Sequence, residues 1–106
     1  MAKPYGQGEC PVAKTAEIIG ERWTVLILRD LFLHGARRFQ DFQESLVGIA
    51  PNTLSDRLKR LEREELIARR VYSEHPPRLE YELTTRGRTL GPLIKAMRDW
   101  GVRHGH

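Results

Sequence analysis

The chain is 106 residues long, 40% apolar and 30% charged, with 18 Lys and Arg against 14 Asp and Glu for a net charge of +4. That composition suits one small soluble domain with a single modest core, not a disordered segment, and no apolar run approaches the roughly 18 residues that a bilayer span needs. One cysteine and four scattered histidines exclude an internal disulfide and offer no metal-binding cluster, so neither metal nor cofactor is expected.

The N-terminus lacks the apolar stretch of a signal peptide, so the expected location is cytoplasmic, with no membrane partner. Residues 1–9, with Pro4, Gly6 and Gly8, read as a flexible arm, and residues 10–106 read as a single domain. A first helix is expected from Pro11, where the fixed φ of proline suits an opening turn, to about Ile19, where Gly20 stops it. A second, from about Arg22 to Leu33, carries Trp23, Leu26, Ile27, Leu28, Leu31 and Phe32. That is more apolar surface than one stripe holds, which marks the buried centre of the fold. A third, from about Arg38 or Phe39 to Leu46, buries Phe39, Phe42 and Leu46 before Gly48 breaks it. Pro51 opens a fourth helix over 51–63, leaving only a few residues between the two, as in a helix-turn-helix.

The fourth helix is the most informative segment. Leu54, Leu58 and Leu61 follow the i, i+4, i+7 spacing of one buried face. Asn52, Ser55, Asp56, Lys59 and Arg63 occupy the opposite side, flanked by Thr53 and Arg60. These donors and cations are the groups that bond base edges and phosphate oxygens. An ordinary amphipathic surface helix has the same wheel, so its neighbours carry the decision. Arg37, Arg38, Arg57, Lys59, Arg60, Arg63, Arg69, Arg70 and Arg78 all fall in this central region.

Past the fourth helix the period changes. Arg78 to Leu83 alternates strictly, as a strand with one wet face does, and Ile67 to Tyr72, with its β-branched residues, would pair with it. Ser73 to Pro77 supplies the connection, so a wing is expected over about 67–83. Thr84 or Thr85 caps a last helix over about 86–103, whose apolar face is Leu90, Leu93, Ile94, Met97 and Trp100. Pro92 inside that helix should kink it. The expected fold class is mainly α with a small β-hairpin: a winged helix-turn-helix DNA-binding domain with N- and C-terminal dimerisation helices.

At this point the chain resembles the HxlR-type family of bacterial winged helix-turn-helix regulators, distant relatives of the MarR group. The matching features are Cys10-Pro11, Gly20 to Leu31 with Trp23, Gly35 with Arg38-Phe39, and Leu54-Ser55-Asp56-Arg57-Leu58-Lys59 with Leu61. They continue through Leu66-Ile67 with Arg69, Pro77 to Thr84 with Gly87, and Trp100, covering residues 10 to 101. The resemblance implies a transcriptional regulator that binds double-stranded DNA as a homodimer. The chain departs from the family pattern at Ala50, where serine is usual and a side-chain cap worth roughly 1 kcal/mol is lost. It departs again at Glu65, where glycine is usual; glutamate there points to a longer or differently ended helix.

Asn52, Thr53, Ser55, Asp56 and Lys59 are assigned to the major groove, with Arg57 and Arg60 on flanking phosphates. Arg57 also points partly to the core side, which suits an internal bridge equally well. Asp56, an acid beside a polyanion, could accept from cytosine N4, but the favoured expectation is a pair with Arg60 four residues on. Arg38, Gln40 and Gln43 are expected to anchor the DNA backbone, and His75 and Arg78 to reach phosphates or the minor groove from a wing tip at 73–78. The face of the last helix is the expected dimer seam, together with the first helix and the arm, since two reading heads about 34 Å apart would match an inverted repeat. Cys10 sits just before a helix start, a seat that suits a reactive sulfur, with Lys14 one turn on and Glu9 opposing it. The resemblance adds that family members sense quinones, aldehydes or electrophiles through a cysteine at this position, so a small electrophile or oxidant is the expected signal. The alternative is a small buried residue held for packing. No Gly-rich phosphate loop, ligand cluster or nucleophile motif suggests an enzyme; the competing reading is a winged-helix module for protein–protein assembly.

Overall fold

Proline and glycine placement sets the order of the elements. The computed structural model describes residues 10–105, so the expected arm over 1–9 lies outside the described residues. Helix α1 spans Pro11–Ile19, α2 Arg22–His34, α3 Phe39–Ser45 and α4 Pro51–Arg63. Strands β1 (Ile67–Glu74) and β2 (Pro77–Leu83) follow, then the short α5 (Thr85–Arg88) and α6 (Gly91–His104). Pro11 and Pro51 each stand in the first turn of their helices, where the missing N–H costs no hydrogen bond.

Helix α2 is the centre of the fold. Its Ile27, Leu28 and Leu31 are buried against Phe42 of α3 and Leu54, Leu58 and Leu61 of α4. Ile67 and Leu83 close this core from the root of the hairpin. The strands pair antiparallel, Ile67 opposite Leu83 through to Glu74 opposite Pro77, with an irregularity between Val71 and Ser73. Arg37, just ahead of α3, adds a rung to the sheet: its N–H donates to the Tyr81 carbonyl at 2.9 Å and its carbonyl accepts from the Tyr81 N–H at 2.7 Å. The hairpin is thereby fixed to the start of the helix-turn-helix. The strands also run further than their sequence pattern marked, because backbone pairing continues through Ser73 and Glu74, leaving only His75 and Pro76 as the turn.

Three expectations are corrected. The last helix is not one kinked rod from Arg86 to Arg103. A single turn, α5, is capped by the Thr84 hydroxyl, which accepts from the Gly87 N–H at 2.9 Å. Then α6 begins afresh with Pro92 in its first turn, so the proline starts a helix instead of bending one. Glu65 does not lengthen α4. It adopts φ of 59°, in the left-handed region, and α4 stops at Arg63. The third concerns Asp56, which pairs with Arg57 at 2.7 Å. Arg60 instead reaches α1, its guanidinium donating to the Glu17 carbonyl at 2.7 Å.

Candidate nucleic-acid interface

The three buried leucines of α4 roll its other side outward. Asn52, Asp56, Lys59, Arg60 and Arg63 are exposed, while Thr53, Ser55 and Arg57 are half-buried along the flanks. Ala50 takes the extended geometry of an N-cap but offers no side-chain acceptor, as its departure from the family pattern implied. The loop of residues 46–50 turns at Gly48, φ 92°, and presents the start of α4 beside α3.

Not every expected contact residue is equally available. Arg38 opens α3 and is clamped by Asp41, whose carboxylate accepts from the guanidinium at 2.8 and 3.2 Å and from the Arg38 backbone N–H at 2.9 Å. The guanidinium, followed by that backbone N–H, holds the Asp41 carboxyl down to about 2. Gln40 and Gln43 are exposed on α3. Arg57 bridges Asp56 and Glu21, its Nε lying 3.0 Å from the Glu21 carboxylate. The internal bridge that the sequence left open for Arg57 is present.

Pairing also consumes the basic cluster on the wing. Arg69 meets Glu62 of α4 at 2.9 Å and Arg70 meets Glu80 across the sheet at 2.7 Å. Arg37 faces the carboxylate of Asp30, which is 1% exposed. Of the central basic residues, Lys59, Arg63 and Arg78 make no ion pair or side-chain hydrogen bond among the described residues, while Arg60 is spent on the Glu17 carbonyl, so those three are the cations there most available to a polyanion. Arg63 lies four residues beyond Lys59 on the same helical face and is exposed as Lys59 is. His75 and Arg78 are both exposed on the wing.

The expected dimer seam divides. Leu90 and Ile94 pack against the chain's own core. Leu93, Met97 and Trp100 stay exposed, Trp100 at 65%. Leu93 and Met97 help line an open, mostly apolar groove of about 850 Å³ between α1, α2 and α6, along with Val12, Ala16, Val25 and Leu26. Cys10 is the residue before α1 and half-buried, on a smaller recess formed with Val12, Ala13, Ala16 and Glu17. Among the described residues no group of His, Cys, Asp and Glu forms a metal site, and no helix is long and apolar enough to cross a membrane.

Comparison with known proteins settles the class of this arrangement. The family model of the HxlR-like helix-turn-helix matches residues 18–106. The chain belongs to the HxlR-like family. It is 42% identical over 95 residues to the HTH-type transcriptional regulator YdeP of Bacillus subtilis, covering 90% of this chain and 73% of YdeP. Among solved structures it is similar to the redox regulator HypR in its oxidised form, with TM-score 0.83, 35% identity, and coverage of 90% of this chain and 97% of HypR. It is also similar to the reduced form of the transcriptional regulator YodB from B. subtilis, with TM-score 0.76, 33% identity, and coverage of 90% and 93%. This HxlR-like protein is therefore a transcriptional regulator of the helix-turn-helix type and not an enzyme, and the winged helix architecture read from the sequence is the one its relatives share.

Proposed function

We propose that this HxlR-like protein is a homodimer that reads an inverted-repeat operator through α4 and the wing, and that modification of Cys10 by an oxidant or electrophile changes its grip on DNA. The observation that carries the DNA reading is the outer face of α4. Asn52, Thr53, Ser55, Asp56 and Lys59 lie along this face, where they would meet the major groove, while its leucines are committed to the core. Arg60 and Arg57 flank this face, the second through its bridge. Arg38, Gln40 and Gln43 on α3 and His75 and Arg78 on the wing bracket it from either end. The exposed Leu93, Met97 and Trp100, beside an apolar groove that α1 also lines, support a second copy as the partner on that side. Leu90 and Ile94 brace the seam from below.

Cys10 stands where α1 begins and therefore at the edge of the same seam. A bulky or charged adduct on its sulfur would alter how two copies meet. Similarity to a redox regulator supports this reading. The test is a titration onto the DNA upstream of the protein's own and neighbouring genes, with reduced protein, diamide-treated protein and Cys10→Ser. Tight, salt-dependent binding that oxidation changes only in the wild type is the expected result. Binding indifferent to oxidation returns Cys10 to packing. Absence of sequence-preferring binding anywhere removes the DNA reading itself.

A further inference from the structure

The corner between α1 and α2 grips the inner flank of α4 at two points. The chain turns there at Gly20, whose N–H donates to the Ala16 carbonyl at 2.7 Å. A Cβ at Gly20 would collide with that same carbonyl, so the corner is closed too tightly for any other residue. Immediately after it, the Glu21 carboxylate caps α2 by accepting from the Thr24 N–H at 2.9 Å and the Thr24 hydroxyl at 3.1 Å. The same carboxylate oxygen stands 3.0 Å from Arg57 Nε. One turn before the corner, the Glu17 carbonyl accepts from Arg60 at 2.7 Å. The two arginines three residues apart on α4 thus meet the corner at both sides, one at the Glu17 carbonyl of α1 and one at the carboxylate that caps α2. Glu21 also borders the apolar groove, so the corner lies between the exposed seam and the reading helix.

We propose that Glu21 is a positioning residue for DNA recognition, acting through Arg57 to fix the roll and height of α4 against the α1–α2 corner. Arg57 then serves the reading of bases without neutralising a phosphate itself. An α-helix that rolls by a small angle about its buried leucines moves every base-contacting side chain together, and hydrogen-bonded readout of base edges tolerates little such movement. Because α1 carries one of the two grips, any displacement of α1 at the seam is passed to α4 through Glu17 and Glu21. The inference rests on the proposed DNA reading of α4.

The experiment uses a duplex enriched by the wild-type protein from a random-sequence library, compared with a scrambled duplex of the same composition. Wild type, Glu21→Asp, Arg57→Gln and the double variant are titrated on both across a range of salt, with a thermal melt of each protein. Aspartate caps a helix as well as any residue but is one methylene shorter, so it keeps the cap and withdraws from Arg57. Glu21→Asp and Arg57→Gln are each expected to lose about tenfold in discrimination between the duplexes, comparable to one mismatched base pair. The double variant should lose no more than Arg57→Gln alone, and the salt dependence should keep its slope. Glu21→Gln, of equal length and uncharged, repeats the test should the aspartate variant melt early. Wild-type discrimination in Glu21→Asp and Glu21→Gln overturns the proposal. So do losses that multiply in the double variant, or a slope that falls by about one in Arg57→Gln, the mark of a phosphate contact. Failure of the wild type to enrich any duplex is a different result: it removes the DNA reading, and the role of Glu21 with it.

Discussion

Lys59 and Arg78 are exposed, and neither makes an ion pair among the described residues. Each neutralised phosphate releases a counterion, so Lys59→Ala and Arg78→Ala should each flatten the dependence of log affinity on log salt by about 0.9, measured by fluorescence anisotropy. Arg70→Ala, which removes a residue already paired with Glu80, should leave that slope nearly unchanged. Asp41 makes a separate prediction in acid. Its folded pKa of about 2 lies below the ordinary 3.8, so its contribution to stability is complete above about pH 4 and is lost as the pH falls toward 2. Asp41→Asn should therefore lose stability at neutral pH and show a shallower acid limb between pH 4 and 2 in urea titrations. The sequence displayed the cations but not their partners. Glu62 and Arg69 stand seven residues apart on different elements, and Glu21 and Arg57 thirty-six apart, separations over which no local spacing rule operates.

At the scale of elements, periodicity carried most of the fold. The leucines of α4 and the alternation of β2 were both legible because burial on one side imposes a fixed repeat. The break between α5 and α6 was not, since Thr85 to Leu90 continues a helical pattern and Pro92 suits a first turn as well as a kink. The hairpin ends were also hidden, because pairing of Ser73 and Glu74 depends on the opposite strand and not on their own propensity. Two single changes test the local backbone account. Ala50→Ser supplies the missing acceptor at the start of α4 and should stabilise by about 1 kcal/mol. Glu65→Gly removes the cost of a left-handed non-glycine residue and should add about 1 kcal/mol, reduced by the extra freedom of the unfolded chain. Both are read from the urea midpoint. Gly87→Ala should act in the opposite direction, since a Cβ there would meet the Leu66 carbonyl, at a cost of about 1–3 kcal/mol.

For the whole molecule, the α6 stripe divides into residues packed on the core and residues left exposed, which the proposed homodimer would use. Ile94→Ala should lower the melting temperature because Ile94 packs on the core. Trp100→Ala should leave melting of the isolated domain nearly unchanged while shifting sedimentation toward the monomer and weakening binding to a two-half-site duplex. The face was visible in the sequence, but its partition between core and surface depends on how α6 meets α2, where Gly91 lies against the Phe32 ring. Internal pairing of the basic residues has its own consequence in the cell. A regulator must leave the wrong DNA quickly to find the right DNA, and the time it lingers on a random stretch grows with each unpaired cation it lays along the backbone. With Arg38, Arg57, Arg69 and Arg70 tied to acids of its own, the chain offers fewer unpaired cations to a random stretch, and on the proposed DNA reading its residence there should be short, read as a fast off-rate from a scrambled duplex.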